Sequence, residues 1–167
     1  MQENKQVIDP QRYSVIPRTL IFIFDSQNRL LLLKGALSKK IWPGLYNGIG
    51  GHVEVGEDIL EAAERELNEE TGFTKVDLQF CGQVMIDVSK AMGIAMFVFR
   101  GMYKGEEIVP SNEGTLEWVL VDDLEKLPVV EDLPILIPKI IDYQPSAPII
   151  IGKYVYDQDG GLNLLFQ

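Results

Sequence analysis

Apolar and polar positions follow two periods along this chain. Residues 19–24 (TLIFIF) form an unbroken apolar, β-branched run, the pattern of a strand buried on both faces. Asp25-Ser26-Gln27-Asn28 turns the chain, and residues 29–33 return as a second strand. A loop rich in glycine, lysine and aromatic residues is expected over 35–51. From 58 to 71 the period becomes helical. Ile59, Leu60, Ala63 and Leu67 supply an apolar stripe, Glu57 and Asp58 place acids at its start, and Gly72 follows its end. Residues 76–89 and 94–103 read as two paired strands and 115–121 as another. Residues 122–127 read as a short helix, and 132–141 as a helix interrupted by Pro134 and Pro138. Two apolar runs, 149–156 and 162–166, flank Asp157-Gln158-Asp159-Gly160-Gly161 and predict a closing hairpin over 148–167, with Leu165-Phe166-Gln167 counted as native sequence. Residues 1–17 read as a lead-in. Strands interleaved with helices predict an α/β fold, a mixed sheet covered on both faces, in a single domain over 1–167 without repeats or linkers.

Composition narrows the classes of function. The chain has 167 residues, suiting one domain. Lysine and arginine number 15 against 25 acids, a net charge of -10, so long-range repulsion argues against binding a nucleic acid polymer. A small anionic substrate remains compatible, because a bound cation reverses the local sign. The single cysteine, Cys81, permits no intrachain disulfide, which fits a reducing compartment. It sits in an apolar run and reads as a small buried hydrophobe. Residues 1–11 lack the apolar core of a signal peptide, and no apolar run is long enough to span a membrane. The expectation is a soluble, cytoplasmic protein.

The predicted helix over 58–71 is placed oddly for stability. Glu66 and Glu70 are four residues apart and Glu66 and Glu69 three apart, so all three carboxylates share one patch. A solvated acidic face is the ordinary reading of such a helix. Here the like charges repel by a few tenths of a kcal/mol per pair (roughly), and they occupy the last turns, where the helix dipole disfavours negative charge. A hard divalent cation removes both penalties, because carboxylate oxygens are the donors it prefers.

The stretch Gly51 to Phe73 fits G-x5-E-x7-R-E-U-x-E-E-x-G-U, where U is aliphatic or aromatic, with every specified position filled. It resembles the Nudix box. By average residue usage a chance match is on the order of one in a billion per starting position. The resemblance implies the Nudix fold, an α/β/α sandwich with a mixed β-sheet, and hydrolysis of a phosphoanhydride with Mg²⁺, for which Mn²⁺ would substitute. It implies that Glu66, Glu69 and Glu70 hold the metal, joined by the Gly50 carbonyl. Glu66 is favoured as the base and Glu70 as the central ligand. Arg65 would orient the carboxylates through its guanidinium fork, and Glu57 would stabilise the loop and helix start. His52, the only histidine, reads as a structural residue of the loop.

Beyond the box, the chain resembles the MutT-like subgroup that hydrolyses oxidised purine nucleoside triphosphates such as 8-oxo-dGTP to monophosphate and pyrophosphate. Tyr46-Asn47-Gly48-Ile49-Gly50-Gly51 resembles W-N-G-F-G-G, whose asparagine contacts the purine. Ser111-Asn112-Glu113 before Trp118 resembles S-D-E, which implies Glu113 as a further metal ligand. Glu131-Asp132 resembles an acid pair that hydrogen-bonds the oxidised base, although the same residues would suit a helix N-cap. Gly152-Lys153-Tyr154-Val155-Tyr156 also resembles the subgroup. Val129-Val130 stands where the subgroup has a stacking tryptophan, so stacking would fall to Tyr46, Trp42 or Ile86. Lys39 and Lys40 lie where they could meet the triphosphate. Two other outcomes stay open: a Nudix enzyme for ADP-ribose, a dinucleotide polyphosphate or a pterin triphosphate, and a nucleotide-binding Nudix module without catalysis.

Overall fold

The computed structural model describes residues 9, 11–38, 40–109, 111–157, 159 and 161–167. The strands are β1 (Ser14–Phe24), β2 (Arg29–Gly35), β3 (Tyr46–Asn47), β4 (Gln79–Asp87), β5 (Met92–Met102), β6 (Gly114–Leu120), β7 (Ile150–Tyr156) and β8 (Leu162–Phe166). The helices are α1 (Ile59–Thr71) and α2 (Leu133–Ile140), with a 3-10 helix over Val121–Lys126. The strands form one mixed sheet in the order β3-β2-β1-β5-β4-β7-β8, with β6 also paired to β2. β1 runs parallel to β5 and β4 parallel to β7; the other pairings are antiparallel. The fold is the α/β arrangement expected from the sequence, a mixed sheet with helices on both faces.

β1 explains why both faces are covered. Leu20, Phe22 and Phe24 enter one apolar cluster, closed by Leu124 and by Leu133, Leu136, Ile137 and Ile140 of α2. The alternate residues Ile21 and Ile23 enter a second cluster, closed by Ala63 and Leu67 of α1 and by Phe73. Period-two alternation of a wholly apolar run thus serves two cores at once. Cys81 belongs to the first cluster with no exposed surface, and burial pushes its thiol up to about 11.

α1 starts at a capping box. The Asp58 carboxylate accepts from the backbone N–H groups of Leu60 and Glu61, and the Glu61 carboxylate accepts from the Asp58 N–H. It stops at Gly72, whose left-handed φ of 80° lets its N–H reach the Asn68 carbonyl.

Four expectations need correction. The lead-in is shorter than 17 residues: β1 begins at Ser14, because the parallel pairing with β5 runs back to Ser14 and Met92. The loop over 35–51 contains β3, whose backbone pairs with the end of β2. α2 is continuous: Pro134 lies in the first turn, where its missing N–H costs nothing, and Pro138 sits inside without ending the helix. Leu60 is not on the buried stripe of α1; it is exposed, and the buried face is Ala62, Ala63, Leu67, Glu70 and Thr71. That face therefore carries a carboxylate inward.

Candidate active site

β1 and β2 share only two registered pairs, Ile23 with Leu31 and Phe24 with Leu30, and then part. Residues 49–52 take the vacated place beside β1. The Thr19 N–H donates to the Gly51 carbonyl at 2.8 Å, and the Ile21 N–H donates to the Ile49 carbonyl at 2.7 Å. Gly50 has φ of 143°, and a Cβ there would overlap the Thr19 carbonyl, so this close approach of two backbones requires glycine. At Gly51 a Cβ would lie 2.5 Å from Glu66 Cδ, in space taken by that carboxylate. The split in the sheet opens a cavity of about 520 Å³.

One side of the cavity is acidic. Glu66 and Glu70 of α1 line it with Glu54 and with Glu113 from the segment before β6. Glu70 is only 6% exposed, so it is no part of a solvated face. Burying a carboxylate costs several kcal/mol (roughly) unless it is compensated.

Arg65 knits this side together. Its Nε and Nη2 donate to the two oxygens of Glu57, at 2.6 and 3.0 Å. Nη1 donates to Glu66 at 2.9 Å and Glu69 at 3.2 Å, and Nη2 also reaches the His52 carbonyl at 2.9 Å. The bidentate grip holds the Glu57 carboxyl below its ordinary range. It also ties α1 to the loop that carries Gly50 and Gly51. Glu69 is drawn to this arginine on the more exposed flank, its side chain 58% accessible, and does not line the cavity.

In this arrangement, no three Asp, Glu, His or Cys side chains among the described residues are gathered tightly enough to cage a metal. The donor set around the cavity nevertheless fits a hard divalent cation. Glu66, Glu70 and Glu113 all present carboxylate oxygens, and the backbone at Gly50 is stripped of any side chain that would block its approach.

The opposite side is built from distant segments. Asn47 ends β3, and its side-chain oxygen accepts from the Gly48 N–H at 2.8 Å, which aims the amide's NH₂ elsewhere. Tyr46 pairs in parallel with Val129: its N–H donates to the Pro128 carbonyl at 2.9 Å, and the Val130 N–H donates to the Tyr46 carbonyl at 3.0 Å. That bridge carries Asp132 to the cavity. Asp132 is 8% exposed and stands at the N-cap of α2 without a side-chain capping bond. Its carboxylate accepts from the hydroxyl of Tyr154, which arrives on β7. Burial, reinforced by the charge of Glu131, pushes the Asp132 carboxyl up to about 6. Leu20, Met96, Ile41 and Trp42 add apolar surface. Trp42 sits at φ of 53°, an uncommon conformation for a bulky residue, and is about half exposed beside the cavity.

The remaining predicted residues fall elsewhere. Tyr46 is buried under the sheet, its hydroxyl donating to Glu117 at 2.7 Å and Lys34 lying over its ring, so it does not line the cavity. Glu131 is exposed and outside the lining; Ile86 is half-buried against the first cluster and also outside the lining. Lys39 lies outside the described residues, while its neighbour Lys40 lines the cavity. Sequence reasoning missed Arg18, Leu20, Met96 and the Tyr154 hydroxyl as site groups. The strand period could have placed Arg18 and Leu20 on one face, but nothing local joins Tyr154 to Asp132.

A family model described as the NUDIX domain matches residues 16–140. The chain is 33% identical over 112 residues to the oxidized purine nucleoside triphosphate hydrolase of Danio rerio, covering 66% of this chain and 67% of that protein. It is 54% identical over 55 residues to the isopentenyl-diphosphate Delta-isomerase of Serratia proteamaculans. That match covers 32% of this chain and only 31% of that protein, so the chain spans about a third of this relative's length. Among solved structures, the mutator MutT protein of Bacillus halodurans superposes with a TM-score of 0.73 at 26% identity, covering 91% of this chain and 97% of that one.

Proposed function

The chain belongs to the Nudix family, and from that premise we propose that it is a divalent-cation-dependent pyrophosphohydrolase of purine nucleoside triphosphates, oxidised purines included. One observation carries the reading: a single cavity is lined both by the oxygen donors of Glu66, Glu70, Glu113 and Gly50 and by the polar side chains of Asn47 and Asp132. The likeness to the Danio rerio enzyme, whose name states that substrate class, supports the same assignment.

In this reading Glu66, Glu70, Glu113 and the Gly50 carbonyl hold Mg²⁺ or Mn²⁺, with Glu69 joining from the flank. The bound cation would neutralise charge on the phosphates and polarise the anhydride. Glu66 takes the proton as a water oxygen bonds to phosphorus and the bridging P–O bond breaks, leaving monophosphate and pyrophosphate. Arg65 holds the Glu66 carboxylate in position through its Nη1, while its other nitrogens are anchored on Glu57. No serine or cysteine nucleophile is needed; Cys81 is buried and its thiol held protonated.

At the other end, the Asn47 NH₂ offers donors to a base edge. Asp132, with its carboxyl pushed up to about 6, populates donor and acceptor forms close to neutral pH. Such a group reads a base that presents both an acceptor and a donor, as an oxidised purine does. Trp42 and Met96 supply apolar surface for the ring. The test is a substrate panel with Mg²⁺: 8-oxo-dGTP, 2-hydroxy-dATP, dGTP, dATP, ADP-ribose and diadenosine polyphosphates. The expected result is the highest kcat/KM on an oxidised purine triphosphate; preference for ADP-ribose or a dinucleotide would overturn the substrate assignment while leaving the family intact.

A further inference from the structure

Arg18 is a cation that the metal-and-base scheme leaves unused. It lines the cavity from β1, directly opposite His52. The backbone bonds fall on either side of this pair, Thr19 N–H to the Gly51 carbonyl at 2.8 Å and Val53 N–H to the Pro17 carbonyl at 3.1 Å. Arg18 and His52 therefore occupy a non-hydrogen-bonded cross-strand position, where facing side chains lie closest. The Arg18 Nε donates to His52 Nε2 at 3.1 Å. The acceptor is an imidazole nitrogen, so the guanidinium is braced without its charge being cancelled. Among the described residues Arg18 forms no ion pair. An arginine that lines the same cavity as Glu54, Glu66, Glu70 and Glu113 and is held by an imidazole nitrogen keeps its Nη edge for another anion.

Position gives that anion a place. Residues 49–52 run antiparallel to β1 in one register, Ile49 opposite Ile21 and His52 opposite Arg18. Asn47 lies before this segment, Gly50 inside it and His52 at its far end. A substrate with its base at Asn47 and its reacting phosphate near Gly50 would extend its remaining phosphates toward Arg18.

We propose that Arg18, braced by His52, binds the phosphates distal to the base and retains the pyrophosphate product. Arg18 contacts substrate, and His52 is a positioning residue acting through it. The assignment rests on the phosphoanhydride reading above but not on the identity of the base.

The probe is therefore inorganic pyrophosphate with Mg²⁺, titrated calorimetrically into the wild-type protein and into Arg18→Gln, Arg18→Lys, His52→Gln and His52→Ala. Arg18→Gln should weaken pyrophosphate binding about tenfold or more, by the usual strength of a charge-assisted bond. It should raise KM for the best triphosphate by a similar factor, with kcat changed less. Arg18→Lys should recover part of the loss, since it restores the charge without the fork. His52→Gln, which keeps an acceptor, should bind better than His52→Ala. Pyrophosphate binding equal to wild type in folded Arg18→Gln overturns the proposal. If that variant does not fold, unchanged binding in Arg18→Lys together with His52→Ala overturns it instead. Should the wild type bind pyrophosphate in an Arg18-dependent way but hydrolyse no purine triphosphate, the substrate reading fails and the Arg18 site stands.

Discussion

The two ends of the cavity are assembled in opposite ways. The acidic end comes from one helix and the loop before it: Glu57, Arg65, Glu66 and Glu70 lie within fourteen positions, and helical spacing alone brings most of them together. The end proposed to read the base draws Asn47 from β3, Asp132 from the start of α2, Tyr154 from β7 and Met96 from β5, joined by sheet register and by the bridge at Tyr46 and Val129. The first is fixed by local geometry, the second by the whole fold. Chemistry common to many phosphoanhydrides suits the first, and substrate choice suits the second.

The sharpest test of that division is Glu70→Gln. It should lower kcat by about a hundredfold or more, the scale of losing a group that supports charge in the transition state, and by a similar factor on every substrate cleaved. A loss confined to one base would break the comparison. Next comes Asp132. Its carboxyl ionises near 3.8 when unfolded and near 6 when folded, so the native state binds the extra proton. Stability should therefore fall as pH rises through that window, by up to about 3 kcal/mol once both forms are ionised. Asp132→Asn should flatten this part of the profile in urea titrations between pH 4 and 7. Carboxylates with lowered values, such as Asp25 and Glu57, slope the other way but are shared by both proteins. An unchanged difference across that range would show that Asp132 does not titrate as described.

Asn47→Ala should raise KM about tenfold for purine triphosphates, the worth of one well-made polar contact, and leave sugar-linked diphosphates nearly unaffected. Equal effects on both would erase the distinction between the ends. Tyr154→Phe is the mildest change, expected to alter KM by only a few fold (about one neutral hydrogen bond or less), with kcat unchanged. A collapse of kcat would place Tyr154 in the reacting end.

The same division explains what could be read beforehand. The capping box at Asp58, the stop at Gly72 and the inward acids of α1 are written within one helical segment. The apolar run of β1 announces a strand with two cores. Leu60 misled because an exposed leucine at helical spacing looks like a core residue, whereas Ala62 is the residue that is buried. Tyr46 misled because its motif position is adjacent to Asn47, yet neighbouring strand residues point to opposite faces. The partnership of Tyr154 with Asp132 spans 22 residues and two elements, and Arg18 meets His52 only where β2 has left the edge of β1.

The lone cysteine has a practical use. Cys81 is sealed in the core between β1 and α2, and its reactive thiolate is suppressed by burial. A thiol reagent can modify this chain only when that core opens. The rate of labelling, followed by mass as denaturant or nucleotide is varied, would time those openings without a mutation or a dye. If substrate tightens the base end, which shares this core through Tyr154, labelling should slow on its addition.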